Sequence, residues 1–467
     1  MLTVSDKQFM SQLVNSNVFL YELKSDYIKI LNHKFAYHHD IFGRVVIEKS
    51  FNEEITMQDL SNGFNFIKES LLHDLKTSHE NRILFDDRVE TLFHENKINN
   101  EFLMSATSDQ KNNVFSRIND REPECSNYVF MFRNHLEPYY RIENNLTLEL
   151  PLVRINNYKN MSIENKKVLE YFDGLMPVHP ANLSVLKSNK IIKTINCYFS
   201  ASHRTFTNET LPIYFKLDIP VKISASNRML TRHESRLMAS KFAKRKIPPE
   251  NNGNKYYILN DMMAGSIDNN NIMIREKEKS LSYIPLFSLL KINKTVLNNK
   301  CFLDIILDKQ KPFNRASYVL NKIIFPIIHL YFLFVDMSKE FFIQPYNYHR
   351  QNICLSYFDN DITGIVAQDL DMSRPLNAQN VYNEYDEWIT YTILEPIGVY
   401  LENNKYIKKD DYIEYINDYY QSLFRKHKFL YNDNANCISY FENIIYKDIE
   451  IKPQNDYYFS SPNPYRI

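Results

Sequence analysis

Four polar segments interrupt the apolar stretches of this 467-residue chain, and their side chains are of the types that bind anions. In chain order they are LMPVHP (175–180), SASHRT (200–205), KLDIPVKISASNR (216–228) and HRQNICLSY (349–357) with the following GIVAQDLD (364–371). Arginine and lysine donate charged hydrogen bonds to phosphate and carboxylate oxygens, and hydroxyl groups add further donors. If the segments meet in space, they predict a triphosphate site.

Each segment also has an ordinary structural interpretation. A histidine between prolines, such as His179, is more often hydrogen-bonded within a turn than catalytic. The hydroxyl groups of SASHRT could cap a helix or close a turn. A lysine on a strand face, such as Lys216, is normally solvated, and Arg228 would normally pair at the surface. Only the four segments together favour a site.

The segment IYFKLDIPVKIS (213–224) is apolar at every second position, which predicts a β-strand. Pro220 within it indicates a sheet edge or a bulge. Lys216, Ser224 and Arg228 share the other parity, so they would lie on one side if the chain stays extended. A hairpin from SASHRT into this strand would bring Arg204 near Lys216.

Glycine is scarce, with 7 residues in the chain. Neither G-x-G-x-x-G nor G-x-x-x-x-G-K-[ST] occurs, so a nucleotide would have to be held by side chains instead of a glycine loop. Asp369, on a strand-like segment, could hold Mg²⁺ through its carboxylate. The imidazole and amide groups of HRQN could orient phosphate or metal-bound water.

The order of these motifs resembles that of the NRPS-independent siderophore synthetases, the IucA/IucC-type family of aerobactin synthetase relatives. The matching pattern is PVHP, S-x-S-x-R-T, K-L-x-x-P-V-x-I-S-x-x-x-R, H-x-Q-N and then D, over about residues 145–467. YRIENNLTLELPLVRI (140–155) and PNPY (462–465) are similar to the family's flanking segments. Five motifs in the right order are more specific than any one of them.

The resemblance implies an ATP-dependent, acyl-adenylate-forming ligase of siderophore biosynthesis and hence of iron acquisition. A carboxylate of citrate or a related polycarboxylic acid would attack the α-phosphate of ATP, and an amine or alcohol would capture the acyl group. Such chemistry needs positive charge where phosphate charge develops. ATP and Mg²⁺ are the implied cofactors, and a homodimer is the implied assembly.

By matched position the resemblance implies the site residues. Those for ATP are Ser200, Ser202, Arg204, Thr205, Lys216, Gln351, Asn352 and Asp369, with Asp369 and Asn352 on Mg²⁺. Those for the acid substrate are His179, Arg228 and Lys447, and Lys452 is the alternative to Lys447. Those with catalytic roles are Lys216, Arg228 and His349.

Several positions depart from the family's pattern, and the chain is shorter than typical members. Where the family has Trp-Gln, Ser, Thr-Ser, Glu and Arg, this chain has Ala181-Asn182, Ala201, Ser224-Ala225, Asn347 and Gln368. The family's N-terminal HPxHP motif is missing. A catalytically degenerate member that binds nucleotide, acid or a partner enzyme is therefore an alternative, and so is an unrelated structural or interaction protein.

An α+β fold is expected to position these residues. Residues 1–145 are expected to be mainly helical, for example over HENRILFDDRVETLFHENK (79–97). Residues 146–290 are richest in strand patterns and would form an antiparallel sheet that binds ATP and acid. Residues 291–467 would form a mostly helical palm, with a second apolar stripe of Ile413, Ile416, Tyr420 and Leu423 following two aspartates.

Composition excludes other classes of function. With 56 basic and 56 acidic residues, the net charge is zero, so neither nucleic acid nor an anionic membrane is an expected partner. The apolar run at 323–335 is too short for a membrane span and predicts a buried helix. Five scattered cysteines and the lack of a signal peptide favour a reduced, cytoplasmic protein. A metal site at His33, His38, His39 and Asp40 is a minor possibility.

Overall fold

The structure is a computed structural model of the chain that describes part of its residues. These are residues 21–23, 27–30, 33–39, 45–50, 59, 69–118, 134–155, 162–185, 190–223, 226–230, 254–259, 261–267, 270–278, 281–338, 343–346, 348–358, 361–375, 389 and 392–426.

The strands of the described residues are numbered in chain order. They are β1 (Tyr21–Leu23), β2 (Ile28–Ile30), β3 (His33–His39), β4 (Val45–Ser50), β5 (Thr147–Val153), β6 (Met176–Pro177), β7 (Ile191–Ser200), β8 (Ser202–Thr207), β9 (Ile213–Leu217), β10 (Ile219–Ile223), β11 (Ser226–Arg228), β12 (Lys255–Ile258), β13 (Asp261–Ile267), β14 (Asn270–Glu276), β15 (Tyr283–Pro285), β16 (Ile343–Tyr346), β17 (Ile353–Phe358), β18 (Asp361–Ala367) and β19 (Asp371–Pro375).

The α-helices are numbered in the same way. They are α1 (Glu69–Glu95), α2 (Asn100–Ser105), α3 (Ser108–Phe115), α4 (Ile163–Glu170), α5 (Phe302–Leu307), α6 (Arg315–Val319), α7 (Phe325–Ser338), α8 (Glu395–Asn403) and α9 (Lys409–Lys426). The mixture of helices and antiparallel sheets confirms the predicted α+β class.

The N-terminal region differs in part from the helical expectation. Residues 79–97 do fall in and just after α1, as predicted, but β1 to β4 form an antiparallel four-stranded sheet before it. Their segments are rich in β-branched and aromatic residues, which favour β-strands.

A seven-stranded sheet forms the centre of the fold, in the order β13-β14-β9-β8-β7-β5-β6. Its pairs are antiparallel, which confirms the predicted central antiparallel sheet. One face packs α4 over a cluster that includes Phe172, Phe199, Phe206 and Phe215. Strand β9 is buried at all five positions, because both faces of the sheet are covered there.

A second sheet, in the order β12-β18-β17-β15, packs against the other face of the first. Tyr214 of β9, Tyr283 of β15, Cys354 of β17 and Val366 of β18 share one buried cluster between the two sheets. Helix α3 lies against both β7 and β15 and therefore ties the sheets together. It begins at a capping box in which Thr107 and Gln110 satisfy each other's backbone N–H groups.

The largest core cluster lies between this second sheet and the C-terminal helices. Within it, the segment Pro312–Met337 is long and apolar enough to cross a membrane, but 67% of its apolar window is buried inside the protein. Its residues Ile327 and Ile328 are fully buried, which confirms the predicted buried helix. A π-helical turn at Leu320–Ile324 precedes α7. Pro326 explains it, because a proline ring would clash with the carbonyl group four residues earlier in a regular α-helix.

The second predicted helical stripe is also present. Ile413, Ile416, Tyr420 and Leu423 of α9 are all buried, and Asp410 and Asp411 lie in the first turn of the helix. Acidic side chains at this end stabilise the helix dipole.

Candidate active site

The SASHRT segment forms the tight connection between β7 and β8, in which Ser200 pairs with Ser202 across Ala201. Strand β8 then runs antiparallel to β9, and Thr205 lies directly opposite Lys216. The predicted hairpin is therefore present. Residues directly opposite each other in a ladder point to the same face, so Thr205 shares the face of Lys216.

Lys216 is almost fully buried, with 6% of its side chain exposed, so it is not a solvated strand lysine. Its ammonium group donates to Oδ2 of Asp369 at 2.7 Å. Arg275 of β14 donates from Nη2 to Oδ1 of the same carboxylate at 2.8 Å and from Nε to Asp261 of β13, also at 2.8 Å. The four groups form one charge-balanced network, which we call the junction network because it joins the two sheets.

Asp369 follows β18 of the second sheet, and its backbone has φ +55°. A non-glycine residue in this left-handed region is uncommon, and such conformations concentrate at functional sites. The conformation turns its side chain towards Lys216 and Arg275 of the first sheet. Burial by itself would lower the pKa of Arg275, but the adjacent Asp261 and Asp369 carboxylates raise it above its ordinary value, so the guanidinium stays charged.

The HRQN segment approaches the same place from the second sheet. Gln351 donates from Nε2 to the carbonyl oxygen of Ala201, in the β7–β8 turn, at 2.7 Å. Nδ1 of His349 accepts from the backbone N–H of Gln351 at 3.3 Å, and its Nε2 lies 3.4 Å from the Asn352 amide. The structure therefore brings SASHRT, Lys216, HRQN and Asp369 together across 170 residues of sequence.

Arg204 and Arg228 are in contact with each other. Nη1 of Arg204 donates to the carbonyl oxygen of Arg228 at 2.6 Å. Asp218, beside them, accepts from the backbone N–H and amide of Asn271 at 2.8 and 2.7 Å and from the N–H of Leu230. Burial raises the pKa of Asp218, although these hydrogen bonds and Arg204 act in the opposite direction.

The extended run that would place Lys216, Ser224 and Arg228 on one side does not continue as far as Arg228. The extended run breaks at Asp218, and β10 turns back into β11, so that Arg228 lies opposite Ile219 on the returning strand. The hairpin has an irregular register between Ile219 and Lys222, which agrees with the bulge expected at Pro220.

His179 is fully buried and has the contacts of a turn histidine. Its Nδ1 accepts from the backbone N–H of Ala181 at 3.1 Å, and its ring packs against Tyr140 and Phe206. Phe206 belongs to the α4 side of the sheet. Its assignment to an acid pocket stays a prediction.

Other predicted positions lie outside the described residues, and they stay predictions. They are Lys447, Lys452, Ser224, Ala225 and Asn347. His33, His38 and His39 lie in β3, but their side chains and Asp40 are likewise outside the description. Over the described ranges, no group of three or more His, Cys, Asp or Glu side chains could hold a metal ion.

Sequence reasoning missed Arg275, Asp261 and Asp218. Arg275 is the single cation of NNIMIRE, a strand with several apolar residues. Its partner Asp261 is the first residue of the preceding strand. The cation of Arg275 and the carboxylate of Asp261, which lie opposite each other in the β13–β14 hairpin, were the available signal. Nothing local connects either residue to Asp369, which is 94 residues from Arg275.

No protein-family model matches this sequence, and no curated protein matches it. Solved structures do match over nearly the whole chain. Aerobactin synthetase IucC from a hypervirulent pathotype of Klebsiella pneumoniae has a TM-score of 0.65 at 14% identity, covering 93% of this chain and 92% of that one. The petrobactin biosynthesis protein AsbB from Bacillus anthracis strain Sterne has 0.68 at 14%, covering 93% and 89%. This chain has the siderophore synthetase fold.

A third structure, the ATP-bound aerobactin synthetase IucA from the same Klebsiella pathotype, has a TM-score of 0.64 at 10% identity and covers 94% of both chains. The similarity of fold therefore extends beyond residues 145–467 into the N-terminal region, where sequence motifs gave no match. At 9–14% identity these matches establish the fold, and the activity has to be argued from the site.

Proposed function

We propose that the chain is an ATP-dependent ligase of siderophore biosynthesis that adenylates a carboxylate of citrate or a related polycarboxylic acid. The supporting observation is the meeting of the SASHRT turn, Lys216, HRQN and Asp369 where the two sheets pack. The solved structures with this fold include two aerobactin synthetases, one of them ATP-bound, and a petrobactin biosynthesis protein.

In the proposed reaction a carboxylate oxygen of the acid attacks the α-phosphorus of ATP, and the bond to the pyrophosphate oxygen breaks. An amine or alcohol then attacks the acyl carbon, loses its proton and releases AMP, which leaves an amide or ester. Lys216 would neutralise the phosphate charge that develops in the first step. Thr205, directly opposite Lys216, and the serines of the β7–β8 turn would donate hydroxyl hydrogen bonds to phosphate oxygens.

The remaining predicted residues fit binding roles around this centre. Gln351 holds the β7–β8 turn by donating to the carbonyl group of Ala201. His349 and Asn352, in the HRQN segment, lie within hydrogen-bonding distance of each other. Arg228, held through its carbonyl by Arg204, would bind the acid carboxylates or a phosphate. Arginine suits this role because its fork of N–H donors matches two anionic oxygens.

Magnesium fits the described residues less well. Both carboxylate oxygens of Asp369 accept from cations, and Asn352 provides only a neutral amide. A cation next to Lys216 and Arg275 would be repelled unless a polyphosphate lay between them. Mg²⁺ binding by Asp369 and Asn352 stays a prediction from the family resemblance, and no step of the proposed reaction is assigned to it.

A degenerate relative that binds ligands without chemistry is the alternative. Gln368, which stands where the family has arginine, is buried, and its amide lies 3.8 Å from the sulfur of Cys354 inside the protein. The cations of the junction network are also already neutralised by carboxylates. Both observations favour a site that could bind a nucleotide weakly or without turnover.

Acid-dependent exchange of labelled pyrophosphate into ATP distinguishes the two functions. The purified chain would be assayed with ATP, Mg²⁺ and a panel of citrate-like acids, and hydroxylamine would trap any activated acyl group. Exchange that requires one acid of the panel is the expected result. ATP binding by calorimetry without exchange for any acid would favour the degenerate relative, and neither binding nor exchange would overturn both.

A further inference from the structure

We propose that Arg275 is a further polyphosphate-binding residue of this site, and that a bound polyphosphate replaces Asp369 as the partner of Arg275 and Lys216. The inference rests on the proposed function for its ligand, ATP. It assigns a role to a residue that lies outside all of the sequence motifs.

Strand register places Arg275 beside Lys216 on one face of the sheet. Lys216 of β9 lies opposite Met273 of β14, and Arg275 lies two residues further along the same strand, opposite Tyr214. Residues i and i+2 of a strand point to the same face. Both cations therefore point into the space between the sheets, where they meet one carboxylate.

The two partners of Arg275 differ in how firmly they are held. Asp261 lies directly opposite Arg275 in the β13–β14 ladder, and 3% of its side chain is exposed. It fixes the Nε edge of the guanidinium and leaves the Nη2 group directed at Asp369. Arg275 is thus oriented before any ligand binds, which reduces the entropic cost of binding.

Asp369 has the features of a replaceable partner. With 19% exposure, its side chain is the most accessible member of the junction network, and it follows β18 instead of lying within a paired strand. When its carboxylate leaves, Lys216, Arg275 and Asp261 together carry one positive charge. A carboxylate that bridges two cations occupies them as a phosphate would, with charge-assisted hydrogen bonds to two oxygens.

A second buried ion pair provides a matched control, and its cation is Lys277, the residue that directly follows β14. Lys277 donates to Asp109 at 2.5 Å, and 5% and 8% of these side chains are exposed. Lys277 also donates to the carbonyl groups of Asn208 and Leu211, away from the β7–β8 turn. Its loss should cost stability as the loss of Arg275 does, but it should not affect phosphate binding.

Binding of inorganic tripolyphosphate without metal, measured by calorimetry, tests the inference independently of any chemistry. We expect Arg275→Met to weaken binding about tenfold or more, since a charge-assisted hydrogen bond is lost. Arg275→Lys should retain part of the affinity, Lys277→Met should remain within about twofold of wild type, and Asp369→Asn should bind more tightly because the competing carboxylate is gone.

Several outcomes would overturn the inference. They are wild-type affinity in Arg275→Met, no binding of tripolyphosphate by the wild-type chain, and weaker binding by a folded Asp369→Asn variant. If Arg275→Met does not fold, the Arg275→Lys and Asp369→Asn comparisons decide.

Tripolyphosphate binding that depends on Arg275, without pyrophosphate exchange, would support the inference and contradict the ligase. Pyrophosphate exchange that is unaffected in Arg275→Met would support the ligase and contradict the inference.

Discussion

Two buried arginines of this protein are held in opposite ways. Arg117, at the end of α3, is 1% exposed and donates to backbone carbonyl oxygens, those of Asn113, Ile142, Asn145 and Leu146. Arg275 donates to two carboxylates instead. Burial lowers the pKa of Arg117 to about 9, against the opposing effect of Glu143, whereas the carboxylates raise the pKa of Arg275.

The difference separates a structural cation from one suited to a ligand. The carbonyl groups around Arg117 belong to α3 and to the connection before β5, and they cannot leave without local unfolding. A carboxylate is a mobile side chain and carries the charge that a phosphate would bring. Removing Arg117 should therefore affect folding most, and removing cations of the junction network should affect phosphate binding most.

The largest effect on stability is expected for Arg117→Met. The change leaves several buried carbonyl groups without their donor, and each such group costs roughly 1–3 kcal/mol. We expect the free energy of unfolding to fall by about 3–5 kcal/mol, measured by urea denaturation. Arg315→Met is the control, because Arg315 is partly exposed and donates to the Tyr406 hydroxyl group. Equal losses in the two variants would contradict a structural role specific to Arg117.

The largest effect on activity is expected for Lys216→Met. Loss of a charge aimed at developing phosphate charge typically costs about 10²–10³ in turnover. Stability should also fall, because removing one partner of a buried ion pair is destabilising, although Asp369 keeps Arg275 as a partner. Pyrophosphate exchange measures the loss, with Lys277→Met as the control. A variant that keeps full exchange would show that Lys216 is structural, like Arg117.

A smaller effect is expected for Gln351→Ala, which removes the hydrogen bond between the HRQN segment and the β7–β8 turn. A neutral hydrogen bond contributes about 1 kcal/mol, so ATP affinity should fall roughly fivefold. Calorimetry with ATP measures it. Asn321→Ala is the control, because it removes an amide-to-carbonyl bond of 2.8 Å on an exposed helical turn. Unchanged ATP affinity in Gln351→Ala would separate the turn from the nucleotide site.

The sequence predicted the parts of the site that are encoded locally. SASHRT, Lys216, HRQN and Asp369 are short motifs, and their order was enough to predict that they meet. Arg275 and Asp261 were not predicted, because their importance comes from packing of the second sheet, which no periodicity within β13 or β14 reveals. The prediction that one extended run joins Lys216 to Arg228 failed for a different reason. Alternation holds only within one strand, and the chain turns back between Ile223 and Ser226.

The smallest expected effect is a pH dependence at Asp218, on the Arg204 side of the site. Its pKa is raised in the folded state, mainly by burial, above the ordinary 3.8. At a pH just above 3.8 the folded chain keeps a proton that the unfolded chain has lost, so protonation stabilises the folded state there. This contribution is fully present at lower pH and is lost as the pH rises through the folded-state pKa.

Asp218→Asn cannot take up this proton. The stability of wild type relative to Asp218→Asn should therefore be greatest near about pH 4 and should decline towards about pH 7. Urea denaturation of both proteins across this range measures it, with Asp173→Asn as the control because Asp173 is an exposed partner of Lys193. A difference that grows with pH would mean that Leu230, Asn271 and Arg204 outweigh burial. Asp218 would then be a carboxylate held by its donors, as Asp369 is held by Lys216 and Arg275.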